Sequence, residues 1–237
     1  MKNKILATAC AMLLSACVIA QDFPIHKQKF IYFPYPMQRK WATSIGFNAT
    51  TMPYEITEEF HYRIPAIDFH VLKKLPANFL LDGRINAQII QNEIMLGAKW
   101  ACKLSDRISA AIGDDVGFWF GNVTVQGFQT NGYGWQNYPN ISLGYRFNKR
   151  ILLTLRADAI ITNSVKAYAG KTPVATTFQT FSGTSYTIAM EQPFYGKKSI
   201  TLGFRAMYTS FFWQTWSAFT NFDRQFFYPQ IIVGLIL

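Results

Sequence analysis

One stretch, Phe79 to Leu104, constrains the fold more than any other, because its side chains alternate between apolar and polar almost without interruption. Phe79, Leu81, Gly83, Ile85, Ala87 and Ile89 fall on one face, with Asp82, Arg84, Asn86 and Gln88 on the other. After a tight turn placed at Gln91–Asn92, the residues Ile94, Leu96, Ala98, Trp100, Cys102 and Leu104 share a face opposite Glu93, Lys99 and Lys103. A period of two is the mark of β-strands with one apolar and one polar side. Each run is about ten to twelve residues, longer than the roughly five or six of soluble sheets and matched to a tilted membrane-crossing strand. The pair is expected to be a transmembrane hairpin.

The same alternation returns along the chain and predicts ten strands. The first starts at Arg39 and sets Trp41, Thr43, Ile45, Phe47 and Ala49 against Ala42, Ser44, Gly46 and Asn48. In the second, from about Glu58 to Lys74, the apolar set changes from Phe60, Tyr62 and Ile64 to Ile67, Phe69 and Val71, and this change of phase at Pro65 predicts a β-bulge. Beyond the hairpin, strands are expected around Ile108–Phe120, Ile141–Phe147, Ile151–Ile161, Gly183–Pro193, Ile200–Tyr208 and from Arg224 to the end. Turns near residues 75–78, 105–106, 148–149 and 195–198 are short, whereas 121–137, 163–182 and 214–223 read as long loops. An even strand number, short periplasmic turns and longer external loops make up the asymmetry of membrane barrels.

Composition agrees with that reading. Only 15% of the 237 residues are charged, where about 25% is typical of soluble domains. Twenty-one Phe, twelve Tyr and six Trp suit aromatic girdles at two interfaces. After the first twenty residues no apolar run is long enough for a spanning helix. Residues 1–20 have the form of a secretory signal, with Lys2 and Lys4 ahead of an apolar core. Two cleavage readings are open: after Val18-Ile19-Ala20, or before Cys17 in Leu14-Ser15-Ala16-Cys17, which resembles the lipobox of bacterial lipoproteins and would leave Cys17 lipidated. Residues 21–38 are expected to be a periplasmic lead-in, and residues 39–237 the barrel. The formal charge of +10 becomes +8 when Lys2 and Lys4 are removed. The basic residues are dispersed and no nucleic-acid motif accompanies them, so the excess is read as suiting anionic lipopolysaccharide at the outer surface or a weak anion preference inside the barrel.

Across residues 39–237 this pattern resembles the small outer-membrane β-barrel proteins of Gram-negative bacteria. That resemblance implies an all-β, antiparallel up-and-down barrel in the outer membrane. The family usually ends in an aromatic residue, and this chain departs from it with Gly234-Leu235-Ile236-Leu237. A soluble barrel with its apolar face inward, as in lipocalins, is the alternative architecture.

Inside such a barrel the polar faces would gather Asp68, His70, Asp82, Arg84, Glu93, Lys99, Asp115, Arg156, Asp158, Glu191 and Arg205. Interspersed signs point to a network of lumenal ion pairs filling a narrow barrel. The functions this allows are a scaffold, a surface-binding protein or a narrow conduit, with a place in a larger membrane complex. Two enzymatic alternatives remain. Asp68-Phe69-His70 resembles the Asp-x-His of omptin proteases, and small barrels also include lipid A-modifying enzymes, for which His61 stands near the outer end of the second strand. Asp114 falls on the outward, lipid-facing set, where an acid is unfavourable; it is a candidate contact for a membrane-protein partner. Tyr133, Trp135, Tyr138 and Trp216 lie in or beside the expected loops, where recognition is usually carried. No metal-ligand cluster, phosphate loop or nucleophile elbow occurs, and neither metal nor cofactor is expected.

Overall fold

A computed structural model describes residues 28–57, 63–125, 128–148, 150–174, 178–218 and 224–237. The signal segment with Cys17, the start of the lead-in, and residues 58–62, with Phe60, His61 and Tyr62 of the expected second strand, lie outside the described residues. The strands are β1 (Trp41–Thr51), β2 (Arg63–Lys74), β3 (Phe79–Ala87), β4 (Gln91–Lys103), β5 (Ile108–Val125), β6 (Phe128–Arg146), β7 (Leu152–Ala169), β8 (Thr172–Val174), β9 (Phe181–Pro193), β10 (Ser199–Thr209) and β11 (Phe226–Ile236). Each long strand pairs antiparallel with its sequence neighbour, β7 pairs with β9, and β1 pairs with β11 from Ser44↔Ile236 to Thr50↔Gln230. These ten strands close a barrel. The short β8 folds back on the top of β7.

Period-two alternation decides which side chain meets which medium. Outward residues are apolar and open: Leu96, Ile112, Ile141 and Ile231 are each 57–60% exposed. A continuous belt of this kind is far larger than soluble monomers expose. Aromatic residues border it, with Trp41, Phe79 and Trp100 toward the end that carries the C-terminus and Phe118, Trp135, Tyr208 and Phe227 toward the other. We call these the lower and upper ends. In a membrane every backbone polar group must be satisfied internally, and a closed barrel does this with strands.

Four details differ from the sequence reading. The β3–β4 turn centres on Ile89–Ile90, with Ala87 paired to Asn92, two residues earlier than Gln91–Asn92. The β1–β2 register runs unbroken through Pro65↔Ala49, so Pro65 makes no bulge. Ile64 points inward and packs under an upper apolar cluster, which makes the phase look switched. Bulges fall instead at Trp135/Gln136 against β7 and at Ile160/Ile161 against β9. Residues 121–125, 128–137 and much of 163–182 are strand: β5, β6 and β7 run 18, 19 and 18 residues against nine in β3. One wall of the barrel therefore rises above the other. Its glycines looked like loop residues for a reason given below.

Candidate functional site

The lumen is built in three layers. At the lower end, residues 28–37 of the lead-in turn into the barrel mouth. Phe30, Ile31, Tyr32, Phe33 and Met37 are buried there against the inward Leu72, Leu80, Leu152, Ile232 and Ile236. A turn of extended backbone leaves its amides unpaired, and one carboxylate collects them. Glu191 Oε1 accepts from the Ile31 and Tyr32 amides at 2.7 and 3.1 Å, and Oε2 accepts from Phe33 at 2.9 Å. The Thr201 hydroxyl, directly across the β9–β10 ladder, donates to Glu191 Oε1 at 3.3 Å. The Gln28 amide side chain fastens the strap further by donating to the Arg150 carbonyl at 2.7 Å.

Above this strap lies the charged layer. On β2, β3 and β4 the pairs are diagonal neighbours on the inner face, a spacing that long side chains can bridge. Arg84 donates through Nε to Asp68 at 2.8 Å and also through Nη2. His70 Nε2 lies 2.5 Å from Asp82, whose other oxygen pairs with Lys99. Across the lumen Arg156 binds both Asp115 and Asp158, at 2.5 and 2.6 Å, and Ser185 donates to Asp158 at 2.9 Å. Arg205 donates to Thr187 at 3.0 Å. Tyr138 donates to Glu93 at 2.9 Å, and Asn86 donates to the other Glu93 oxygen at 3.0 Å. A cavity of about 40 Å³ remains among Tyr32, Glu93, Tyr138, Arg205 and Phe212, room for a few water molecules. Removing one partner of a buried pair costs about 3–5 kcal/mol, so this layer resists rearrangement.

Residues 211–218, in the β10–β11 connection, fill the upper mouth. A 3-10 turn, Trp213–Ala218, folds inward. Phe212, Trp213 and Trp216 are buried with Trp119, Met207, Phe226 and Tyr228. Gly121 and Gly132, directly paired across β5 and β6, form a flat floor under the Trp216 indole; a Cβ on either would overlap its ring. Those glycines supply space for an aromatic ring, and that explains why a strand here reads as a loop. Gln91 ties the cap down by donating to the Gln214 carbonyl at 3.0 Å.

The sequence-derived candidates separate accordingly. Asp68, His70, Asp82, Arg84, Lys99, Asp115, Arg156, Asp158, Glu191 and Arg205 all face the lumen. Glu191 holds the strap while the others form or border the charged layer. Asp114 points outward from the wall and its neighbour Asp115 inward. Of the four expected recognition residues, Tyr133 and Trp135 are exposed on the outer face of β6. Tyr138 faces inward to Glu93, and Trp216 is a cap residue, 3% exposed; neither is a surface-loop residue. Two functional elements escaped the sequence reading, the amide cradle at Ile31–Phe33 and the glycine floor. Their signal was the density of aromatics in segments that would otherwise be solvated linkers.

Among the described residues, His70 is not part of an assembled catalytic group. The His70 Nδ1 is buried without a hydrogen-bond partner, its other nitrogen is taken by Asp82, and the Tyr32 ring lies edge-on at 5.4 Å. Among the described residues no Ser or Thr hydroxyl bonds this histidine, and no cluster of three or more His, Cys, Asp or Glu is placed to hold a metal ion.

No protein-family model matches the chain, and no curated protein matches it. Solved structures do. The NanC porin aligns over 82% of this chain and 98% of its own, at 7% identity and a TM-score of 0.39. An outer-membrane channel from Pseudomonas putida F1 aligns over 86% and 98%, at 7% identity and a TM-score of 0.45. The translocator domain of the autotransporter NalP from Neisseria meningitidis aligns over 83% and 87%, at 10% identity and a TM-score of 0.43. What places this chain in an outer membrane is its own surface. It is a closed antiparallel barrel, apolar in a belt between two aromatic levels and polar within, and that is the outer-membrane β-barrel architecture.

Proposed function

We propose that the chain is a non-catalytic outer-membrane barrel that acts through its outer surfaces, as a scaffold and surface-binding protein, with a filled lumen that does not conduct. One observation carries this reading: the protein's own residues occupy both mouths, with an ion-paired layer between them. A conduit needs a continuous polar path, and the strap and the aromatic cap both interrupt one. The raised part of β5–β7 is the proposed binding face. Tyr133 and Trp135 are open to the outside there, and Lys166 stands over the Tyr133 ring at 5.8 Å. A cation above exposed aromatics at the upper girdle suits anionic lipopolysaccharide. Purified protein in planar bilayers tests the proposal: the expected trace is indistinguishable from lipid alone, and a steady ion-selective conductance would overturn it.

A further inference from the structure

Among the described residues, several irregularities of the lipid-facing wall meet around Asp114. Asp114 is exposed on the outer face of β5. It sits two residues above the rung where Ile112 meets Trp100, and four below the rung where Phe118 meets Trp135. The carboxylate thus lies between the aromatic levels, about 13 Å along the strand below the upper one at ~3.4 Å per residue. Above it a polar track climbs the wall, with the Asn137 amide donating to Asp114 at 3.3 Å and Asn163 donating to Asn137. Asn163 is the extra residue of the β6–β7 bulge. Directly across from Asp114 is Pro139, which has no N–H, and the β6–β7 ladder skips Tyr138 and Pro139. The β7–β9 bulge at Ile160/Ile161 falls beside the same gap. Next to Asp114, on the side of its cross-strand partner Pro139, an outer notch of about 410 Å³ is floored by Pro139, Ala157, Ala159 and Thr184 and flanked by Ile112, Ile141 and Tyr186.

We propose that this notch is a docking site for a membrane-embedded segment of a second protein that presents a cationic or amide-bearing side chain to Asp114. The proposal deepens the scaffold reading above and rests on it. An ionisable group in the lipid belt is expensive and is a functional-site hypothesis by default. Among the described residues one Asp114 oxygen is engaged, by Asn137, which leaves the other accessible to a donor. Acyl chains carry none. A second copy of this chain is a poor fit by charge, because two-fold packing on this face sets Asp114 against Asp114. The outward cations of the chain lie elsewhere, with Lys73 at the lower girdle over Trp41 at 4.8 Å and Lys166 at the upper girdle. A lysine, arginine or amide on a partner would complete the hydrogen bonding, and its backbone would fill a surface that small residues have hollowed.

The test uses full-length protein in lipid vesicles with two synthetic Leu/Ala peptides of membrane-spanning length, each carrying a photoreactive residue. One has a central lysine and the other a leucine in its place. The lysine peptide is expected to crosslink to the barrel several-fold more than the leucine peptide, and Asp114→Leu should abolish the difference. That variant replaces a lipid-facing acid with an apolar side chain, so folding, read by heat-modifiable gel mobility, should be retained. Equal crosslinking of the two peptides, or a lysine preference that survives Asp114→Leu, would overturn the proposal. In vesicles without peptide, barrel dimers trapped by a bifunctional amine crosslinker and lost on Asp114→Leu would overturn it in favour of a second copy. Bilayer conductance has no bearing on these outcomes, so this inference and the filled-lumen reading can fail separately.

Discussion

The two ends of the barrel are closed by opposite means. The lower strap buries apolar side chains too, but its backbone is gathered at one polar centre, where a single buried carboxylate accepts three consecutive amides. The upper cap is held by shape. Its indole lies on paired glycines within an aromatic cluster, and among the described residues the buried Trp119 Nε1 and Trp216 Nε1 have no hydrogen-bond partner. A polar clamp concentrates its free energy in one residue, because each orphaned buried donor costs about 1–3 kcal/mol. Aromatic packing spreads it over many weak contacts. The lower closure should therefore fail all at once and the upper one by degrees.

Breaking the clamp should give the largest effect. Glu191→Ala leaves three amides without an acceptor in a site closed to solvent, and the strap is expected to leave the mouth. Limited proteolysis at the lower end should then cut within residues 28–38, with a large fall in Tm, while the wild type resists. Trp216→Ala should come next. Removing a buried aromatic of this size costs about 3–5 kcal/mol, yet Trp119, Phe212 and Trp213 should keep the cap in place. The expected result is a lower Tm with no new cleavage site between β10 and β11. Gly132→Ala should be smaller, about 1–3 kcal/mol, because the added methyl overpacks the indole. It should cost much less in the Trp216→Ala background, and a thermal-denaturation double-mutant cycle measures that coupling. Lys103→Ala is the smallest change. Its ion pair with Asp106 at a lower turn is exposed, so Tm should not move, as is usual for surface pairs.

The wall was legible in the sequence because lipid outside and polar groups inside impose a two-residue period on every strand. Leu81, Leu96, Ile141 and Leu202 announce their side of the sheet without help from distant residues. The closures were not legible, because they are contacts between segments far apart in sequence. Glu191 meets Ile31 across 160 residues, and its alternation shows only that it points inward. Trp216 and the Gly121–Gly132 pair explain one another, yet separately they read as a loop aromatic and loop glycines. The Pro65 misreading has the same origin. Ile64 is apolar because the cap above it is apolar, so a lumenal contact imitated a change of strand phase. The charged layer falls between these cases: its members were legible as inward charges, but the partner of each depends on register.

Tryptophan shielding measures the central claim most directly, since three of the six indoles face out and three face in. With Trp41, Trp100 and Trp135 replaced by Phe, the remaining emission comes from Trp119, Trp213 and Trp216, all buried beneath the upper mouth. In lipid vesicles this emission should be quenched neither by brominated acyl chains nor by iodide added on either side of the membrane. Strong iodide quenching would mean that water reaches the lumen through an open mouth, and quenching by brominated lipid would mean that these residues face the bilayer; either result contradicts a barrel sealed by its own chain.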